Sequence, residues 1–331
     1  MSSKKVGLAI TIAFLSFFSV FDAYGQRSYS NTVTSTPLAS FQPDREGSYI
    51  TLGLRKYINS FTSYQFPDSP GGDIGTDPIS RLEWPWEQTF GVIKLGHNYP
   101  GVQVNFEGAA TLFKDSGLLA QDSDWTDAAQ PSQKTIFSDG LAMPRNWTID
   151  TSVGFFAPFL PSIQWLLGYR AQQFRFTYTD MLQRELGRQP IYDSGEVIQF
   201  NQSYKIYYGG GALCAQFEPG RSIGTLAAYN FFLKLQGDVG YVTANNLDFH
   251  VLREPGPRFT YEYTTGICWH LNLAAEYRLK KFFTLGLAGD FMSIRTRGSH
   301  SWTEPGTALS WDGAKVWSEQ KYVEANATLN F

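Results

Sequence analysis

The chain has only two cysteines in 331 residues, Cys214 and Cys268, which is too few for a disulfide framework. Both stand in strand-like sequence, so one bridge and two separate buried or lipid-facing thiols are both open. Charge of one sign is also lacking. Lys and Arg number 27 against 30 Asp and Glu, and this weak acidic balance predicts no nucleic-acid partner. Beyond the first 25 residues there is no run of 18 apolar residues, the length that marks a spanning helix. The best candidate, Val153 to Leu167, is interrupted by Pro158, Pro161 and Gln164, and proline inside a helix costs about 3 kcal/mol.

The amino terminus is different in kind. Lys4 and Lys5 precede an apolar run from Val6 to Phe21 that is short for a bilayer core, and the small residues Ala23 and Gly25 flank Tyr24 ahead of Gln26. This is the grammar of a signal peptide over residues 1–25, leaving 26–331 as one exported domain. Its removal takes away Lys4, Lys5 and Asp22 and moves the formal net charge from −3 to about −4.

What the chain does contain is aromatics at 16%, 31 glycines and a mean hydropathy of only −0.24, a β-rich profile. Period-2 alternation, the mark of strands, recurs along it. Ile50, Leu52 and Leu54 alternate with Thr51, Gly53 and Arg55, and Ile149, Thr151, Val153 and Phe155 alternate with Asp150, Ser152 and Gly154. Phe174, Phe176 and Tyr178 alternate with Gln173, Arg175 and Thr177, a count that puts Arg175 on the inward face. Phe283, Leu285 and Leu287 repeat the pattern, and Val323, Ala325, Ala327, Leu329 and the terminal Phe331 share one face of a last strand.

Connection lengths separate a membrane barrel from a soluble sandwich. Short connections at Asn98 to Gly101, Pro158 to Ser162, Glu218 to Arg221 and Lys280-Lys281 alternate with long polar stretches near 62–79, 112–146, 180–198, 243–258 and 298–314. Short periplasmic turns and long outer loops alternate in this way in outer-membrane barrels. The five hairpins predict an all-β, ten-stranded antiparallel transmembrane β-barrel in a Gram-negative-type outer membrane, projecting above the outer leaflet with its loops outside the cell. Ten strands leave a lumen mostly filled by side chains, which disfavours a diffusive pore.

Two short acidic motifs carry the chemistry. Asp122-Ser123-Asp124-Trp125-Thr126-Asp127 lies in the second long loop, and Asp248-Phe249-His250 in the fourth. Taken alone, acidic pairs in loops are commonly solvated surface. At i and i+2 of an extended segment, however, Asp248 and His250 share a face, and such a carboxylate can orient the imidazole and raise its basicity. His97, His270 and His300 have no carboxylate at useful spacing, so no metal site is expected. Gly209-Gly210-Gly211 reads as close packing inside a barrel, and Trp84, Trp86, Trp302, Trp311 and Trp317 read as an aromatic girdle or loop packing.

These motifs, in this order, resemble the omptin family of outer-membrane endopeptidases, which carry Asp-x-Asp-Trp-x-Asp in the second outer loop and Asp-x-His in the fourth. Ser80-Arg81-Leu82-Glu83-Trp84 is similar to the family's second-strand segment, and Phe41-Gln42-Pro43-Asp44 to its mature amino terminus. The resemblance implies catalytic roles for Asp122, Asp124, Asp248 and His250 around a shared water at the extracellular rim. His250 would be the general base, with Asp248 orienting it and the two other aspartates holding the water and handling protons. It implies protein or peptide substrates, outer-membrane lipid as a partner and no cofactor, with activity that depends on lipopolysaccharide.

Departures from the family pattern bear on specificity. Where members that cut between basic residues carry pocket acids, this chain has Asn246 and, in the first loop, a position near Phe61. At the lipopolysaccharide site Tyr169 is retained, but Ala171 and Gln173 stand where the family has an acid and an arginine, with Arg170 and Arg175 nearby. Two readings follow: an active endopeptidase with an altered pocket, or an inactive barrel of the same architecture serving as an adhesin or structural surface protein.

Overall fold

The computed structural model describes residues 47–331, apart from 71–76, 114–117, 158–159, 218–230 and 253–255. The expected signal peptide, the Phe41–Asp44 segment and the Glu218 to Arg221 turn lie outside the described residues, as does Pro158 of the second short turn.

The described chain is strand almost throughout. It runs β1 (Gly47–Tyr57), β2 (Phe61–Phe66), β3 (Ser80–Pro85), β4 (Thr89–Tyr99), β5 (Val102–Thr111), β6 (Leu119–Asp124), β7 (Ile136–Pro144) and β8 (Trp147–Ala157). Six longer strands follow: β9 (Leu160–Glu185), β10 (Ile191–Phe217), β11 (Phe231–His250), β12 (Arg258–Lys280), β13 (Phe283–Glu304) and β14 (Thr307–Asn330). All pair antiparallel.

Two closed rings share the six long strands. In one half β14 pairs with β1, and the ring continues through β4, β5 and β8 to β9. In the other half β14 pairs with β2, and the ring continues through β3, β6 and β7 to β9. Each ring therefore has ten strands, as the hairpin count predicted, with the first four strands each broken once at mid-height. The break between β1 and β2 falls at Asn59, which has a φ of 45° and gives its backbone N–H to Glu87. It lies beside the break between β3 and β4, where the Tyr57 and Trp86 amides donate to the carbonyls of Gln88 and Ser60.

The half closed by β1 carries an outward apolar surface of the kind that lipid covers in an outer-membrane barrel. Ile50, Leu52 and Leu54 point outward while Thr51 and Arg55 are buried, and Val323, Leu329 and Phe331 point outward opposite buried Glu324. On β12 the outward apolar series runs from Tyr277 to Ile267, matching the ~9–11 residues that a tilted strand needs to cross a bilayer. Inside, several lumen charges are paired. Arg55 bonds Glu107 and Glu324 at 2.7 Å each, Lys94 bonds Glu324 at 2.7 Å, and Arg170 bonds Asp150 at 2.6 Å. His270 sits between Asp238 and Asp290 at 2.7 and 2.6 Å, with both carboxylates arriving from neighbouring strands rather than from nearby sequence. A cavity of about 830 Å³ lies among these groups.

Interior aromatics pack above that cavity. Tyr57 packs on Trp86 at 4.3 Å between centroids, Trp86 on Phe174 at 4.6 Å, and Phe174 on Tyr204 at 5.9 Å. A second tier stacks Trp84 between Phe176 at 5.2 Å and Phe200 at 5.0 Å. The expectation of a girdle thus fails for Trp84 and Trp86, which are buried at 1% and 0% exposure. Phe174, Phe176 and Tyr178 likewise face inward, and Arg175 faces outward, the reverse of the face assigned from alternation. The reason is physical: an outer face that meets water rather than lipid carries polar side chains, and the apolar ones turn into the barrel as they do in a soluble protein.

Most of the stretches expected as long loops are the upper halves of hairpins. β11 continues to His250, β12 begins at Arg258, and β13 turns into β14 through Pro305 and Gly306, the latter at φ 84°. Gly210 is required by close approach, since a Cβ there would lie 2.2 Å from the Gly237 carbonyl oxygen. Cys214 and Cys268 are free and buried, so neither faces lipid and no bridge joins them.

Candidate active site

The upper ring places the sequence-predicted residues on facing walls. From β6 to β11 there are four strand steps one way around the ring and six the other. On β11, alternation sends Asn246, Asp248 and His250 inward, where all three are buried, while Phe249 faces outward and stacks on Phe259 at 4.5 Å.

Asp248 Oδ2 lies 2.9 Å from His250 Nε2 and also accepts a hydrogen bond from the Tyr64 hydroxyl, which reaches it from β2. Burial opposes ionisation of Asp248, but His250, Tyr64 and Arg258 outweigh it and hold the carboxyl below the usual carboxylate range. An ionised Asp248 accepts only, so Nε2 carries a proton, and in the neutral imidazole the lone pair is then on Nδ1. The guanidinium of Arg258 stands 3.3 Å from the same Nε2 and lies over the Trp302 ring at 4.4 Å.

Asp122 and Asp124 were expected in a loop, and the structure puts them in β6, between β3 and β7. Asp122 registers with Leu82, and Leu82 with Tyr64, so these three residues form one inward row. Neighbouring strands lie ~4.8 Å apart, which sets Asp122 roughly 10 Å along the wall from Tyr64. Asp124 registers with Ser80 and Ile136, and both aspartates are half-buried. Asp127 lies in the turn after β6, where its carboxylate accepts from the Ala129 amide.

On the wall between the two motifs stands Tyr178, which registers through Ile198 to His250. Burial, and then the negative charges of Asp122 and Asp139, push its phenol up. The structure thus joins Asp248 directly to His250 and sets Asp122 and Asp124 side by side. Tyr64 reaches from its own wall to Asp248 on the other, and Tyr178 stands between them, within electrostatic reach of Asp122.

Tyr64, Tyr178, Arg258, Glu262 and His300 were not found by reading the sequence as site residues. No carboxylate lies near His300 in sequence, yet its Nδ1 is 2.7 Å from Glu262 Oε1 across the β12–β13 ladder. The available signal for Glu262 was its strand parity with Arg258, on the inward face of β12. Of the two positions considered for pocket acids, Asn246 is buried directly beneath Asp248, whereas Phe61 faces outward beside Glu83 and Gln121 and lines no part of the interior.

Comparison with known proteins adds to this geometry. A crystal structure of the outer-membrane protease OmpT from Escherichia coli superposes with a TM-score of 0.70 at 18% identity, over 90% of this chain and 100% of that one, a likeness of fold. The translocator domain of the autotransporter NalP from Neisseria meningitidis covers 99% of this chain and 98% of its own at 6% identity, but with a TM-score of 0.38 it bears on nothing here. A comparison with curated proteins gave no match. The sequence model of the Omptin family matches residues 73–297, well over half of the chain and a span that includes all four motif residues, and the chain therefore belongs to the omptin family.

Proposed function

We propose that this chain is an outer-membrane endopeptidase whose site is formed by Asp248 and His250 facing Asp122 and Asp124 at the extracellular rim. The observation that carries this reading is the 2.9 Å bond between Asp248 and His250 Nε2, which leaves Nδ1 as a base. In the reaction, Nδ1 takes a proton from a water held between the walls while the water oxygen attacks the scissile carbonyl. The tetrahedral intermediate then breaks its C–N bond, and the amine leaves with a proton delivered through the acidic groups of the site. Asp122 and Asp124 are placed to hold the water and to relay protons.

Substrates are proteins or peptides, and no added cofactor is invoked. With Asn246 in place of an acid beneath Asp248, a guanidinium or ammonium entering there meets no ionised partner at that position, and stripping such a cation of water without a countercharge costs several kcal/mol. Specificity for basic residues is therefore not expected. Outward Arg175, exposed opposite Asn201 on the neighbouring strand, offers charge to the phosphates of lipopolysaccharide above the hydrocarbon layer, and lipopolysaccharide belongs in the assay for that reason.

The test is to refold residues 26–331 with lipopolysaccharide and incubate the barrel with a diverse peptide pool, reading cut sites by mass spectrometry beside an Asp248→Ala, His250→Ala double variant. Cuts made only by the unsubstituted barrel are the expected result. Identical peptide maps from the two proteins would leave an inactive adhesin or structural barrel as the better reading.

Tyr64→Phe gives a finer check. It removes one hydrogen bond to a charged acceptor, an interaction of ~1.5–3 kcal/mol, so kcat should fall about 10- to 100-fold with KM unchanged. A normal kcat would mean that Tyr64 does not orient Asp248.

A further inference from the structure

Directly beneath Asp248 lies a row of inward polar residues on successive strands: Gln202, Asn246, Glu262 and His300, each registered with the next. All four are buried to 2% exposure or less. At ordinary hydrogen-bond distance and angle, Gln202 Nε2, both amide atoms of Asn246, Glu262 Oε2 and His300 Nε2 have no partner among the described residues, and neither does Asp248 Oδ1 above them; Asn246 and Thr260 stand near enough to Glu262 for a looser polar contact. A buried polar atom left unsatisfied costs ~1–3 kcal/mol, so five in one layer and a sixth just above it point to water held there.

Asp248 and Glu262 are diagonal neighbours on β11 and β12, with side chains roughly 7–8 Å apart. Two carboxylates this close in a buried interior do not both ionise readily. Asp248 has three groups that favour its anion: His250, Tyr64 and Arg258. Among the described residues Glu262 bonds no lysine or arginine, and its partner is His300 Nδ1 at 2.7 Å. His300 in turn is enclosed by Phe66, stacked at 3.8 Å, and Trp311 at 4.6 Å, an apolar setting that disfavours imidazolium.

We propose that Glu262 and His300 form a second buried acid–base pair, uncharged in the working protein, which with Asn246 holds water against Asp248 Oδ1 and so acts as a positioning device for the Asp248–His250 pair. Glu262 O–H donates to His300 Nδ1. That leaves Glu262 Oε2 as an acceptor and His300 Nε2–H as a donor, and the Asn246 amide supplies one of each. The bridging water donates to Asp248 Oδ1, so the second oxygen of that carboxylate is satisfied while the first serves Tyr64 and His250. Only one anion then stands behind His250.

The electrostatics agree with this assignment. Burial, and then the charge of Asp248, lift the Glu262 carboxyl well above the usual range, with Asn246 and Thr260 acting in the opposite direction. Burial, and then Arg258, push the His300 imidazole down to about 3, with Asp248 opposing. The groups facing the pair are Asp248 and His250 from β11, Arg258 from its own strand, Tyr64 from β2, and uncharged Gln202 and Trp311 from β10 and β14.

This inference rests on the endopeptidase reading, and the experiment separates the two. Infrared difference spectra of the full barrel in micelles, unsubstituted minus Glu262→Gln, should show the C=O stretch of a protonated carboxyl at neutral pH. Glu262→Leu supplies the same difference, so failure of one variant to fold leaves the test intact. With a cleaved peptide in hand, Glu262→Leu should lower kcat about tenfold at unchanged KM, the worth of one hydrogen bond, and Glu262→Gln should recover most of that loss without moving the acid limb of kcat/KM. Absence of the carboxyl band overturns the proposal. So does an acid limb displaced by about one pH unit or more in Glu262→Gln, or a Leu variant with normal kcat. A clear band in a barrel that cuts no peptide would instead remove the endopeptidase reading and keep the neutral pair.

Discussion

Asp248→Asn is expected to reduce kcat by about 10³- to 10⁴-fold while leaving the barrel folded, a larger loss than removal of one ordinary hydrogen bond produces. The substitution changes few atoms, but it replaces an acceptor-only carboxylate with an amide that can donate. With the amide N–H directed at His250 Nε2, that nitrogen becomes the acceptor and the ring proton moves to Nδ1, the atom that must take the proton from water. Arg258, 3.3 Å from Nε2, also favours the proton on Nδ1 once the Asp248 charge is gone. The variant therefore holds the base in the wrong tautomer. The check is kcat on a peptide identified in the pool experiment, alongside His250→Ala and the double variant. If Asp248 acts only through His250, the double variant loses no more than His250→Ala alone. An Asp248→Asn barrel within tenfold of the unsubstituted rate would mean that Asp248 does not set the tautomer.

The parts of this architecture that could be read in advance are those in which one strand carries its own message. Ile50, Leu52 and Leu54 against Thr51 and Arg55, and Val323 to Phe331 against Glu324, declare their faces because lipid lies on one side and a charged lumen on the other. Asp248 and His250 were legible for a related reason, since their partnership runs from i to i+2 along a single strand. Above the bilayer this contrast fails. Phe174, Phe176 and Tyr178 still alternate, but the same pattern now means a soluble-type core, and a rule suited to the membrane band assigns Arg175 the wrong face. Around Asn246, Asp248, Glu262 and His300 the inward residues are themselves polar, so the upper hairpins read as loops although they are strands.

Partnerships across strands were the other illegible part. Tyr64 meets Asp248 over 184 positions of sequence, and His270 meets Asp238 over 32. Such pairs follow from register and from ring closure, which a single sequence does not display. They also explain why a mid-height break in four strands matters. It lets β2, β3, β6 and β7 form the upper wall, so that Tyr64 and Asp122 share a row facing β11.

That upper wall stands on its aromatic tier, and Trp84→Ala should therefore lower the unfolding free energy by about 3–5 kcal/mol. Trp84 is 1% exposed, stacks on Phe176 and Phe200, and meets Tyr178 edge-on at 5.8 Å between centroids. Removing the indole leaves a void that β-strands fixed on both sides by ladder hydrogen bonds cannot collapse to fill, which places the loss at the upper end for large-to-small changes. Urea unfolding in micelles followed by circular dichroism measures it, since the midpoint shifts while the slope stays constant. Trp317→Ala is the comparison: this half-buried indole lies on the outer face, where Arg81 stands 5.6 Å from its ring, and its loss should cost only about 1 kcal/mol. Phe200 also stacks on Tyr64 at 5.5 Å, so the void opened by Trp84→Ala adjoins the ring that presents its hydroxyl to Asp248. Activity should then fall together with stability in this variant, and in Tyr64→Phe activity should fall alone. Equal destabilisation by Trp84→Ala and Trp317→Ala would show that the interior tier is not what holds the upper ring together.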